Sequence, residues 1–317
     1  MFLTLEDIEG ARRRIDDRVH HTPIFTATTL GEMADLNLSL KAELFQKTGS
    51  FKPRGVFNKL LSMDDAERSR GLVSLSAGNH AAALAYAARA LRTNATIVMP
   101  ATVVPAKIEA TRGYGGEVVL TEERLLEVCL EIQRERNLVL VHPFDDLSVM
   151  AGQGTVGLEI LEDVPDADAV IVPIGGGGLI SGIATAVKLQ RPSVELIGVE
   201  PEGADAMSQS LEQGRPVHLD HVETVADGLA APFAGEHTFP HVQRLVDGIV
   251  RVSDQDIVKA LRLLIGRCKL AAEPSGAAAL AALLTGRTGL RAGSRVVCVV
   301  SGGNVAMDRL RSLLSDD

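Results

Sequence analysis

The run Ser50-Phe51-Lys52-Pro53-Arg54-Gly55 sets one lysine at the mouth of a predicted helix, a place suited to an amine that reacts covalently. Proline fits the first helical turn, where its missing N–H costs nothing. Val56, Phe57, Leu60 and Leu61 then continue an apolar face at helical spacing. The positive end of the helix dipole disfavours an ammonium there, and Arg54 adds a second positive charge, so the neutral, nucleophilic amine of Lys52 is favoured. Taken alone, such a lysine is more simply a solvated turn residue. Its company further along the chain changes that reading.

The apolar run Ala169-Val170-Ile171-Val172-Pro173-Ile174 leads into Gly175-Gly176-Gly177-Gly178, and Leu179-Ile180-Ser181-Gly182 opens a helix. Four residues without side chains let backbone N–H groups converge on an anion at the favourable end of a helix dipole. No Gly-Lys-Ser/Thr follows, and the dinucleotide spacing would require a small residue at Ile180, so the pattern is that of a monophosphate cradle. Without its strand and helix the same run would be as easily a flexible turn. Leu75 is followed by Ser76-Ala77-Gly78-Asn79-His80, whose amides could hold a carboxylate while the Asn79 side chain donates to a phenolate-like oxygen. These are also ordinary turn and cap residues. A third apolar run, 296–300, ends in Ser301-Gly302-Gly303-Asn304, where Ser301 either offers its hydroxyl to a heterocycle nitrogen or caps the next helix. A reactive lysine, a monophosphate cradle, an amide donor and a serine at separate strand ends together describe what pyridoxal phosphate needs.

The elements that must position these residues alternate. Strands are predicted over 72–75, 96–99, 117–120 and 138–141, with helices over 81–91 and 122–136, and a second set of strands over 169–174, 194–199 and 295–300. This is an α/β pattern of parallel sheets flanked by helices. It divides into a large cofactor-binding lobe of residues 1–70 and 146–317 and a smaller lobe of residues 71–145, with ligand at the carboxyl ends of the strands between them. The chain of 317 residues is 46% hydrophobic and 23% charged, and no apolar run approaches the ~18 residues of a membrane span. A net charge of -9 and only 3% aromatic residues argue against nucleic acid and for a small-molecule partner. The opening Met1-Phe2-Leu3-Thr4-Leu5-Glu6-Asp7 is too acidic for a signal peptide, which predicts a cytoplasmic location. Cys129, Cys268 and Cys298, odd in number and far apart, read as reduced core residues.

The chain resembles the threonine and serine dehydratases of the fold type II pyridoxal phosphate enzymes, a family related to the serine racemases. The likeness rests on His21-Thr22-Pro23, the run around Lys52, residues 76–80, His142-Pro143-Phe144-Asp145-Asp146, Ala151-Gly152-Gln153-Gly154-Thr155, the four glycines, Ala226-Asp227-Gly228, Glu273-Pro274-Ser275 and residues 301–304. It implies that Lys52 carries the cofactor as a Schiff base and that Phe51 packs against the cofactor ring. Asn79 would bond the ring hydroxyl oxygen, Gly175, Gly176, Gly177, Gly178 and the Leu179 amide the phosphate, and Ser301 the pyridine nitrogen. Lys52 and Ser76 are the implied catalytic residues, with Ser76, Ala77, Asn79 and His80 around the substrate carboxylate. The freed lysine removes the α-proton, the β-hydroxyl leaves, and a keto acid and ammonia are released. L-threonine going to 2-oxobutanoate is expected first and L-serine going to pyruvate second, in a homodimer or homotetramer.

Departures from the pattern discriminate among relatives. The racemases carry a serine before Gly-Asn-His that delivers a proton to the opposite face of the carbanion, whereas this chain has Ala77, and a methyl group transfers no proton. Pro53 after the lysine argues against β-replacement, since the sulfhydrylases and threonine synthases typically continue Asp-Arg. Some relatives bind a divalent cation through a segment matching Glu200 to Ala206. Glu200 and Ala204 match it, but Ala206 stands where an aspartate is usual, so a cation is doubtful. His218 and His221 read as solvated loop residues. The length beyond Ser301 leaves no room for the C-terminal regulatory domain of biosynthetic threonine dehydratases, and none is expected. The alternatives are a serine or amino-acid racemase, a hydroxyaspartate dehydratase, or a pyridoxal phosphate-binding protein without turnover.

Overall fold

Runs of valine, isoleucine and leucine with no polar alternation form strands buried on both faces, as parallel sheets require. The computed structural model describes residues 1–315. Its ten strands are β1 Ile24–Thr26, β2 Asn37–Ala42, β3 Leu72–Leu75, β4 Ala95–Pro100, β5 Glu117–Thr121, β6 Val139–Leu140, β7 Ala169–Pro173, β8 Glu195–Pro201, β9 Gly248–Val252 and β10 Arg295–Val300. They form a six-stranded sheet in the order β1-β2-β10-β7-β8-β9 and a four-stranded sheet in the order β5-β4-β3-β6. Every pairing is parallel except β1 with β2, where Ile24 faces Lys41. The sequence pattern had not marked β1, β2 or β9. β2 escapes because Ser39 and Lys41 interrupt its apolar run, yet Lys41 is fully buried, with Nζ 2.7 Å from Glu159 and 3.2 Å from Asp163.

Helix Lys52–Ser62 lies against helix Leu147–Asp163. A Cβ on Gly152 would stand 2.4 Å from the Arg54 carbonyl oxygen and 2.6 Å from the Gly55 Cα, so only glycine permits this close backbone approach. On its other side the lysine-bearing helix buries Val56, Phe57 and Leu60 with Leu72, Leu84, Ile97 and Val141 of the four-stranded sheet and its helices. One helix therefore packs into the smaller sheet's core while its first residue opens toward the larger sheet. Cys129 and Cys298 are buried as expected, whereas Cys268 is partly exposed at the end of the π-helical segment Leu264–Cys268. Among the described residues no helix is long and apolar enough to cross a membrane.

Candidate active site

Lys52 is the first residue of its helix, and its position is set from both sides. The Phe51 amide donates to the Ser301 carbonyl (3.2 Å), and Ser50 pairs with Gly302 in an isolated antiparallel bridge. These contacts tie the approach to the helix onto the carboxyl end of β10. The Lys52 ammonium donates to the Pro143 carbonyl at 2.7 Å and lies 5.1 Å from the Phe51 ring centre. Burial lowers its pKa from 10.5 to about 8, against the carboxylate of Glu273, which raises it. Arg54 does not contribute as expected. Its guanidinium is fully buried away from the lysine, forked onto Glu43 (2.8 Å and 2.8 Å) and Glu159 (2.6 Å and 2.9 Å). Burial opposes that charge, but the two carboxylates outweigh it and raise the Arg54 pKa. Desolvation, not a neighbouring cation, is what makes the lysine amine easier to deprotonate.

The four glycines join β7 to helix Gly178–Gln190, whose first-turn amides have no intrahelical carbonyl to bond. Gly177 has φ +91°, a left-handed conformation that favours glycine. A Cβ on Gly176 would lie 2.3 Å from the Phe144 ring, and one on Gly177 would lie 2.8 Å from the Met207 methyl and 2.9 Å from the Thr238 Cβ. Packing against Phe144, Met207 and Thr238 thus leaves no room for a side chain at Gly176 or Gly177.

Asn79 opens helix Asn79–Ala90. Its side-chain amide donates to Glu273 Oε1 (2.7 Å), and its carbonyl oxygen accepts from the Asn304 amide (2.8 Å), which also donates to the Thr48 carbonyl (2.6 Å). Glu273 is buried, and that burial raises its pKa to about 7 even though the Asn79 bond lowers it. Its motif was visible in the sequence, but nothing local showed that the carboxylate would face both Asn79 and Lys52. Ser76 Oγ accepts the Gly78 N–H (3.2 Å), closing the turn on which Ala77 sits. His80 departs from expectation: its imidazole is buried, with Nε2 3.0 Å from Ser74 Oγ and 3.2 Å from the Val141 carbonyl, so it is tied to the end of the smaller sheet. Burial and the charge of Lys52 hold it well below its ordinary pKa, hence neutral. Ser301 is buried, with only a long 3.4 Å contact from its hydroxyl to the Ser275 carbonyl.

The segment matching the cation site is otherwise engaged. Glu200 accepts the amides of Met207 and Ser208 (both 2.8 Å) and the Ser208 hydroxyl (2.6 Å), capping helix Ala206–Gln213. Asp205 is held by Gln209 and Arg251. His218 stacks on Phe233 and His221 meets Glu223. No group of three potential metal ligands occurs among the described residues.

The donor set fits pyridoxal phosphate: a desolvated amine for the aldehyde, a side-chain-free amide cradle for the phosphate, and a weakly engaged buried hydroxyl for a ring nitrogen. Two parallel sheets with these groups at their carboxyl ends have the architecture of a fold type II pyridoxal phosphate enzyme. The chain matches the model of the pyridoxal-phosphate dependent enzyme family over residues 15–302 and belongs to that family. Among similar proteins, an L-threonine ammonia-lyase of Thermotoga maritima is 42% identical over 99% of this chain and 78% of its own length. A phenylserine dehydratase of Ralstonia pickettii is 43% identical over 95% of this chain and 93% of its own length. The solved structure of maize serine racemase superposes with a TM-score of 0.94 at 40% identity, covering 98% of this chain and 97% of that one.

Proposed function

We propose that the protein deaminates a β-hydroxy amino acid, with L-threonine ahead of L-serine: the β-hydroxyl leaves as water, and a water then adds back as ammonia is released, giving the keto acid. The observation that carries this reading is Ala77. It stands in the turn beside Asn79 where a racemase of this kind places a proton-carrying serine, which leaves the Lys52 amine to handle the α-proton. Relatives named for elimination, an ammonia-lyase and a dehydratase, support it.

Bound at Lys52, the cofactor supplies an electron sink for charge developing at the substrate's α-carbon. In this reading the amides of Gly175, Gly176, Gly177, Gly178 and Leu179 hold the phosphate, Ser301 meets the ring nitrogen, and Asn79 meets the ring hydroxyl. Phe51 covers one ring face. The Lys52 amine, made easier to deprotonate by desolvation, would accept the α-proton and pass it to the β-hydroxyl, which departs as water. Ser76 and the amides of residues 77–80 orient the carboxylate; the His80 imidazole serves the strand ends instead. The lobes divide near residues 70/71 and 145/146, so that substrate enters between the two sheets.

The test is release of keto acid and ammonia from the purified, cofactor-loaded chain offered L-threonine, L-serine and both hydroxyaspartate diastereomers, with chiral analysis of recovered substrate. Fast 2-oxobutanoate formation supports the reading. Inversion of serine that outpaces keto acid release would replace it with the racemase reading, which the likeness to maize serine racemase favours.

A further inference from the structure

The motif His142-Pro143-Phe144-Asp145-Asp146 has no part in the chemistry above, yet it touches both ends of the cofactor site. Its Pro143 carbonyl holds the Lys52 amine, and the Phe144 ring lies against Gly176. The Asp145 carboxylate then accepts three backbone N–H groups at the start of helix Thr238–Leu245: Glu236 (3.0 Å), His237 (2.8 Å) and Thr238 (3.2 Å). Gly235 must lack a side chain for this to happen, because a Cβ there would stand 2.3 Å from that carboxylate. The helix so fixed presents Thr238, which is fully buried. Its hydroxyl donates to the Gly176 carbonyl at 2.7 Å and accepts the Gly235 N–H at 3.0 Å, so its rotor is locked.

The consequence lies in the peptide plane. The carbonyl of Gly176 and the N–H of Gly177 belong to one trans peptide and point in opposite directions. A glycine pair can rotate this plane with little steric resistance. Anchoring the carbonyl on Thr238 stops that rotation and turns the Gly177 N–H away from Thr238, to the other side of the loop.

We propose that Thr238, held in place by Asp145, fixes the Gly176–Gly177 peptide in the one orientation that presents the Gly177 N–H to the cofactor phosphate. Both are positioning residues for anion binding and neither touches the reacting atoms. The inference rests on reading the glycine loop as the phosphate cradle.

The experiment compares full-length wild type, Thr238→Val and Thr238→Ser for equilibrium affinity toward pyridoxal phosphate and toward pyridoxal, which lacks the phosphate. The phosphorus NMR shift of each loaded protein is recorded alongside. Thr238→Val keeps the shape of the side chain and removes both the donor to the Gly176 carbonyl and the acceptor of the Gly235 N–H. It should weaken pyridoxal phosphate binding by about tenfold, the worth of one hydrogen bond to a charged group. It should also move the phosphorus resonance and leave pyridoxal affinity within about twofold, with Thr238→Ser restoring both readouts. Asp145→Asn, which keeps the oxygen that accepts from His237 and Thr238 but loses the charge and the second acceptor used by Glu236, should fall between wild type and Thr238→Val. Equal losses for the two ligands, or an unchanged resonance with unchanged affinity, would overturn the proposal. A wild type that binds pyridoxal phosphate no more tightly than pyridoxal would overturn the cradle reading itself, a result distinct from failure of the Thr238 variants alone.

Discussion

Replacing Lys52 by methionine should stabilise the cofactor-free protein at neutral pH. The partly buried ammonium loses its proton at about 8 rather than 10.5 because burial works against its charge. That displacement corresponds to about 3 kcal/mol of folding free energy at pH 7. The sign follows from proton binding: between pH 8 and 10.5 the unfolded chain holds the lysine proton and the folded chain has released it, so stability rises with pH across that window. Below the window the full cost is present. Methionine has a similar length and no charge, so it removes the cost but forfeits the charged donor's bond to the Pro143 carbonyl, worth ~1.5 kcal/mol. The net gain is about 1.5 kcal/mol at pH 7, equivalent to roughly 2 °C in melting temperature for a chain of 317 residues. Melting curves of both cofactor-free proteins should show this gap at pH 7 and its disappearance or reversal by pH 10.5. Groups that do not feel the Lys52 charge titrate alike in the two proteins and cancel; Glu273, His80 and His142 do feel it and shift with the substitution. A methionine variant less stable than wild type at pH 7, or a gap that ignores pH, would refute the argument that desolvation tunes this amine.

Further outcomes are expected from the surrounding residues. Glu273→Gln removes the carboxylate that holds the lysine proton on, so Lys52 should deprotonate at a lower pH than in wild type. Amine labelling of the cofactor-free chain across pH, read by mass spectrometry, checks this, and an unchanged or higher midpoint would contradict it. Arg54→Met leaves Glu43 and Glu159 buried without their shared cation and should destabilise the fold by about 3–5 kcal/mol in denaturant titration. Gly176→Ala drives a methyl group into the Phe144 ring, an overpacking of about 1–3 kcal/mol that should weaken cofactor affinity by roughly ten- to a hundredfold in equilibrium binding.

Much of the site is written in contiguous residues. Lys52 beside Pro53, and the glycines between β7 and its helix, are legible because a helix start and a loop without side chains are local properties. The same holds for the alternation of strands and helices. β2 was not legible, because a lysine inside a strand looks exposed until Glu159 and Asp163 arrive from a helix more than a hundred residues away. Arg54 was read by sequence proximity as a cation acting on Lys52. A helix turns its side chains by about 100° per residue, and two residues carry Arg54 to another face, where two carboxylates wait.

The kind of chemistry therefore belonged to the sequence: an amine at a helix mouth, a cradle without side chains, and a methyl group at residue 77 where a proton carrier would serve racemisation. The condition of those groups belonged to tertiary structure. Desolvation lowers the lysine, Glu273 answers it from a segment more than two hundred residues distant, and Thr238 orients a peptide to which no local rule connects it. Residue type and spacing are properties of the chain, whereas burial and electrostatic company exist only once distant segments share the same few ångströms.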